Sequence, residues 1–271
     1  MRFSLWPLMT TADNAAHYAR LAATYDRHWS HSDAFVTWMT ARIVDGLSLR
    51  RHHRIIDVGC GTGLYSRRIV DAVQPGNPLL CADPSSAMLS RLRSTPGIRP
   101  VLASAEQLAG ARPGPTPPDA PPGRFDAVLI KEAVHHVAPS DRGPTIAGLS
   151  NLLTEGGRLL IVMLPTRIDY PLFAAALRRF EELQPDPAEI VEHIRRAGLS
   201  ASIEYHEFSL NIPRDRYLEM VRGRYLSLLS TFDEDAIEAG IREIEARHPE
   251  LMLSFPDRFA FVLGSRRARM P

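Results

Sequence analysis

The stretch that most limits what this chain can fold into is Arg54-Ile-Ile-Asp-Val-Gly-Cys-Gly-Thr-Gly-Leu-Tyr65. Ile55 to Val58 reads as a buried strand and the residues from Leu64 as the start of a helix, with three alternate glycines between them. Glycine lacks Cβ, so it turns the backbone tightly, lets it approach a ligand closely and aims N–H groups at that ligand. A strand, a glycine turn and a helix in this order imply an α/β sheet with a nucleotide-like molecule at the turn.

The spacing separates two kinds of nucleotide. A dinucleotide fingerprint counted from Gly59 asks for a small residue at position 64, and Leu64 stands there, which opposes an NAD-binding oxidoreductase. The pattern Asp57-x-Gly59-x-Gly61-x-Gly63 instead resembles motif I of the class I S-adenosylmethionine (SAM) methyltransferases, with Asp57 in the acidic position. SAM carries an amino-acid tail with an ammonium and has no pyrophosphate, so a carboxylate suits it. The resemblance implies SAM as cofactor and Asp57, Gly59, Cys60, Gly61 and Gly63 as contacts to it.

Other segments support a nucleoside ligand. Leu79 to Asp83 reads as a second strand, and Asp83 falls twenty residues after Gly63, where a carboxylate at a strand's end meets ribose hydroxyls. Asp83 and Pro84 are expected to open the next helix with an acidic cap and a proline in its first turn. Ser104-Ala105-Glu106 resembles the segment in which family members contact adenine, although many relatives carry Asp at the position of Ser104. Ahead of the glycine turn, helices are expected over Asp13 to Trp29 and Asp33 to Leu47. The stretch from Tyr18 to Tyr25 is similar to the segment preceding motif I in many small-molecule methyltransferases, which implies that Tyr18 or Tyr25 closes over the cofactor.

In an open parallel sheet, ligands bind outside the carboxyl ends of the strands. The fourth strand, Phe125 to Ile130, discharges into Lys131-Glu132-Ala-Val-His135-His136, and the fifth is Arg158 to Pro165. Methyl transfer needs alignment of donor and acceptor, with a base only where the acceptor must lose a proton. The candidates for catalysis are Glu132, His135 and His136, with Lys131 and Tyr65 beside them; Lys131 is also a candidate cofactor contact. A helix expected over Arg214 to Leu229 puts Tyr217, Val221, Tyr225 and Leu228 on one apolar face. Arg224 borders that face and Arg222 lies opposite, so Arg224, Arg222 and Tyr225 are candidate substrate contacts, Arg224 for an acidic group on the acceptor.

The expected fold is α/β: a Rossmann-like, seven-stranded, mostly parallel sheet with an N-terminal helical cap and a helical insertion before the last strand. Residues 1–12 are expected to be disordered and 13–271 to form one domain, with a cap over 13–50, a SAM-binding core over 51–165, and a lid and closing strands over 166–271. That last part comprises a lid helix from Tyr170 to Glu182, a helix from Pro187 to Ala197, strands Ser200 to Asn211 and Arg258 to Leu263, and the insertion 213–248. Gly110 to Arg124 is too rich in proline for helix or strand.

The function expected is methylation of a small molecule, a specialised natural-product metabolite, at O, N or an electron-rich carbon such as an indole ring carbon. The broad kinship is to the ubiquinone/menaquinone-type C-methyltransferases. A formal net charge of +1 and the lack of a basic stripe argue against nucleic acid, and no run is long enough for a membrane span. Two cysteines, Cys60 and Cys81, imply reduced thiols and a cytoplasmic protein; no metal-ligand spacing occurs, and a homodimer stays open. The alternatives are a protein or RNA methyltransferase and a SAM-binding module without chemistry.

Overall fold

The computed structural model describes residues 32–111 and 124–267. Residues 1–12, the helix expected over Asp13 to Trp29 with Tyr18 and Tyr25, and most of the proline-rich segment lie outside the described residues.

The chain alternates strand and helix through its first half: α1 (Asp33–Leu47), β1 (Ile55–Val58), α2 (Leu64–Val73), β2 (Leu79–Asp83), α3 (Ser86–Leu89), β3 (Ile98–Leu102), α4 (Ala105–Leu108), β4 (Phe125–Lys131), α5 (Pro139–Asn151) and β5 (Leu153–Met163). The closing half runs α6 (Ala174–Leu183), α7 (Pro187–Arg196), β6 (Ser200–Pro213), α8 (Arg214–Arg222), α9 (Glu234–Arg247) and β7 (Met252–Ser265), with short 3-10 turns at Val134–His136 and Ser227–Thr231. The seven strands form one sheet in the order β3-β2-β1-β4-β5-β7-β6; β7 runs antiparallel to both its neighbours and the other pairings are parallel. This is the mostly parallel α/β sheet expected.

Strand alternation feeds two cores, one per face. Ile55, Ala127, Leu129, Leu160 and Val162 pack on the side of α1 and the C-terminal insertion. Ile56, Val58, Val128, Ile130, Leu159 and Ile161 pack on the other, against α5 and α7. Both faces of the central strands are therefore covered, which is why they read as continuous apolar runs.

Four boundaries differ from the sequence reading. The lid helix begins at Ala174, and Tyr170, Leu172 and Phe173 precede it as buried irregular chain. The fifth strand starts at Leu153. The helix expected over Arg214 to Leu229 stops at Arg222, because Gly223 ends it and Arg224 takes a left-handed conformation at φ 55°. The last two strands are longer than expected and pair in register from Ser200–Ser265 to Pro213–Met252. β5 pairs with β7 only over residues 260–265, so the outer half of this hairpin overhangs the carboxyl end of β5 and carries the insertion over the crevice there.

The insertion is packed tightly on the segment before α6. A Cβ placed on Gly240 of α9 would lie 2.3 Å from Cδ1 of Phe173, which is itself buried. Gly240→Ala is expected to cost about 1–3 kcal/mol by overpacking, read as a lower urea midpoint, and Gly240→Ala combined with Phe173→Leu to recover part of that loss.

Candidate active site

β1 ends in the glycine turn, where Gly59, Gly61 and Gly63 take φ values of 75°, 56° and 76°. Those angles favour glycine, and packing demands it as well at the two ends. A Cβ on Gly59 would sit 2.4 Å from Cβ of Ala133, and one on Gly63 would sit 2.3 Å from Cδ2 of Leu92. The Gly59 and Cys60 amides both donate to the Ala82 carbonyl, at 2.8 and 3.1 Å. The Gly61 amide donates to Oδ2 of Asp83 at 2.9 Å, and the Ser85 amide to Oδ1 of the same carboxylate at 2.8 Å. Asp83 thus ties the turn to the end of its neighbouring strand. Contrary to the sequence reading, Asp83 is not the cap of the following helix and Pro84 is not in its first turn; Ser85 caps α3 by accepting from the Met88 amide.

Asp57 is buried one strand away, with the Ser66 hydroxyl donating to it at 2.5 Å. Burial pushes its carboxyl up to about 6; the Ser66 hydrogen bond opposes this, Asp83 adds to it, and Lys131 opposes it. On the rim, Ser104 caps α4 in a capping box with Gln107, so its hydroxyl is committed to the backbone, while Ala105 and Glu106 face the crevice.

The end of β4 supplies the other wall. Glu132 has φ 52°, a left-handed conformation rare for a residue with a side chain and costing about 1–3 kcal/mol. Its amide donates to the Val162 carbonyl at 2.8 Å, and its carboxylate accepts from the Leu164 amide at 2.9 Å. Glu132 therefore staples the end of β4 to β5. Nζ of Lys131 lies 4.6 Å from the ring centre of Tyr65 and 5.6 Å from that of Phe259. His135 and His136 form the 3-10 turn with ring centres 4.0 Å apart, and Nδ1 of His135 is buried with no hydrogen-bond partner. Burial, with Arg142 and Lys131 adding to it, pushes His135 down to about 4, so its imidazole is neutral near pH 7.

These elements enclose a crevice of about 920 Å³. Asp57, Gly59, Cys60, Gly61, Asp83, Pro84, Ser104, Ala105, Glu106, Tyr65, Lys131, Glu132, His135 and His136 all line it. Gly63 is not in the lining; it is the left-handed N-cap of α2. Arg222, Arg224 and Tyr225 are not part of the lining. Arg222 points outward into an ion pair with Glu238 at 2.8 Å, Arg224 follows the helix break, and Tyr225 is buried against Tyr217, their hydroxyls 3.1 Å apart. The break at Gly223 turns the chain so that Leu226, Ser227, Leu228 and Thr231 reach the crevice instead. Arg142 and Arg179, on α5 and α6, also line it and were not singled out in the sequence. Neither has a motif around it that marks an inward arginine; Arg142 is buried, with Nε donating to the Val137 carbonyl at 3.1 Å.

The residues present fit SAM. Two buried carboxylates, Asp57 and Asp83, rather than a cradle of free amides for phosphates, stand at a turn stripped of side chains. Asp57 and the glycine turn would hold the amino-acid portion, Asp83 the ribose, and Ser104 to Glu106 the base; when bound, the cofactor supplies an electrophilic methyl. Among the described residues, no group of three or more His, Cys, Asp or Glu side chains is placed to hold a metal ion.

Beneath Lys131 lies a further buried acid, Asp257, which accepts from the Tyr170 hydroxyl. Burial pushes it up to about 7; the Tyr170 hydrogen bond opposes this, Glu132 adds to it and Lys131 opposes it. An acid with a raised folded-state pKa contributes stability that is full below its unfolded value, near 4, and is lost as pH rises through about 7. Asp257→Asn removes that dependence. The unfolding free energy of the wild type minus that of Asp257→Asn is expected to fall between pH 5 and pH 8 and to level off above it, as measured by urea titrations.

Residues 56–159 match the family described as a methyltransferase domain. The ubiquinone/menaquinone biosynthesis C-methyltransferase UbiE of Pasteurella multocida (strain Pm70) is 26% identical over 136 residues, covering 48% of this chain and 46% of that protein. The chain thus spans about half the length of the curated relative it matches. Among solved structures, a candidate methyltransferase from an antibiotic biosynthesis pathway of Anabaena variabilis ATCC 29413 superposes with a TM-score of 0.61 at 17% identity, over 84% of this chain and 96% of that one. A phosphoethanolamine N-methyltransferase 2 of Haemonchus contortus, holding S-adenosylhomocysteine, superposes with a TM-score of 0.53 at 14% identity, over 95% of this chain and 58% of that one. With the glycine turn, the two carboxylates and the sheet order in place, the fold is that of the class I SAM-dependent methyltransferases, and residues 56–159 match a methyltransferase domain.

Proposed function

We propose that this protein methylates a small molecule, a specialised metabolite, at an oxygen, a nitrogen or an electron-rich carbon. The observation that carries the reading is the shape and lining of the crevice. Besides the residues assigned to the cofactor, its lining includes Phe180, Leu183, Leu226 and Leu228, an apolar set of the kind that lines a site for a small organic ligand. A nucleic-acid substrate would ask for a basic surface, and the chain's formal net charge is +1. The antibiotic-pathway protein of Anabaena and the UbiE relative both fit a small acceptor. Glu132, His135, His136, Lys131 and Tyr65 line the same crevice and are the candidates for contact with the acceptor. No helix among the described residues is long and apolar enough to cross a membrane.

Cofactor binding is tested on the residues that shape the turn. Asp83→Asn puts an amide NH₂ where a carboxylate oxygen now accepts from a backbone amide, and it weakens any bond to ribose hydroxyls, each charge-assisted bond being worth about 1.5–3 kcal/mol. Gly61→Val adds a branched side chain to a left-handed residue facing the crevice. Isothermal titration with S-adenosylhomocysteine should show at least tenfold weaker binding for each folded variant; normal affinity in Asp83→Asn would contradict the ribose assignment.

Turnover is tested with SAM labelled in its methyl group. Label is expected in aromatic and heteroaromatic small molecules offered as acceptors and not in bulk RNA or protein. Label appearing only in a macromolecule would replace this reading with the protein or RNA one. A chain that binds SAM and labels nothing would be a binding module.

A further inference from the structure

Lys131 is the only lysine in the chain and it stands in the crevice wall at the end of β4. Its ammonium end is deep, yet among the described residues no carboxylate lies within 4.0 Å of it. Glu132, Asp257 and Asp57 face it from further away. What contacts its head are two ring faces, those of Tyr65 and Phe259. A buried cation without a counter-ion is costly, and a protein keeps one where a ligand completes it.

Several carboxylates of the lining are already engaged by other donors. Glu132 accepts from the Leu164 amide at 2.9 Å, Glu182 from Arg179 at 3.1 Å, and Asp186 from the Ala188 amide at 2.8 Å, while Glu189 pairs with His193 at 3.2 Å. The neighbouring polar groups on the Lys131 side, His135 and Arg142, bring no negative charge.

We propose that Lys131 binds the methyl acceptor through an acidic hydroxyl, that of a phenol or an enol, and holds it as the oxyanion. The inference rests on the methyltransferase reading and names the substrate class of the same site. Such a compound enters the crevice uncharged, so it avoids the desolvation that a carboxylate would incur on the way in. Burial lowers the pKa of Lys131, with Glu132, Asp257 and Asp57 opposing. On binding, the O–H bond breaks with its electron pair left on oxygen, the proton leaves to solvent, and the Lys131 ammonium pairs with the oxyanion. The ion pair forms beside aromatic rings suited to a planar partner. The oxyanion, or the ring carbon it enriches, is the nucleophile that methylation requires, without a separate base.

The test is spectroscopic and needs no turnover. The full chain saturated with S-adenosylhomocysteine is titrated with 4-nitrophenol and with 7-hydroxycoumarin, each at a pH one unit below the probe's own pKa. The wild type should show a saturable phenolate band, Lys131→Arg should keep it, and Lys131→Met should lose it at least tenfold while binding S-adenosylhomocysteine within threefold of wild type. A band of equal size in Lys131→Met, or no band with either probe in the wild type, would overturn the proposal. So would loss of S-adenosylhomocysteine affinity in Lys131→Met with the band intact, which makes Lys131 a cofactor contact. Should Lys131→Met not fold, the pH at which wild-type-bound probe changes from phenol to phenolate decides: a midpoint below the free probe's supports the proposal, and one at or above it refutes it. A wild type that binds no S-adenosylhomocysteine sinks the methyltransferase reading together with this one, whereas cofactor bound without phenolate sinks this one alone.

Discussion

One carboxylate holds the nucleotide end of this molecule together. Asp83 accepts from the Gly61 amide with one oxygen and the Ser85 amide with the other, so a single side chain fixes the middle of the glycine turn and the start of the next connection. The turn could not supply that restraint alone, because residues chosen for conformational freedom are also the hardest to keep in one shape. Asp83 still has lone pairs to spare after both bonds, which lets one group shape the pocket and meet the ligand. Asp57, the Ala82 carbonyl and the staple at Glu132 complete the frame.

The opposite wall is built by a different logic. At the end of β4 the chain accepts strain at Glu132 and buries Lys131 and Glu132 side by side, with Asp257 beneath. Burial pushes the acids up and the lysine down. His135 is held neutral by the same burial and by the cations beside it. Such an arrangement costs stability that the two apolar cores supply.

How much of this was legible in the sequence depends on the range of the interaction. The parallel half of the sheet could be read from the runs Ile55–Val58, Leu79–Asp83 and Phe125–Ile130, because strands buried on both faces announce themselves locally. The residues facing the crevice from those strands followed from topology, since every strand end points the same way. The wall built by the insertion did not. Gly223 falls inside the helix expected over Arg214 to Leu229, yet it ends α8 and turns Arg224 aside, and Arg222 is drawn outward by Glu238, sixteen residues on. The cap of α3 slipped because Asp83 had a stronger use for its oxygens than the helix beside it. Arg142 reaches the crevice by folding back onto the Val137 carbonyl, a contact that no spacing rule encodes.

The overhanging hairpin has an implication for how such an enzyme changes over time. Beyond β5, the outer halves of β6 and β7 are bonded to one another and not to the rest of the sheet, and they carry α8 and α9 like a bracket. Mutations, insertions or wholesale replacement of residues 214–251 are thus buffered from the floor that grips the methyl donor. One mechanical unit can drift in sequence while the other is inherited unchanged.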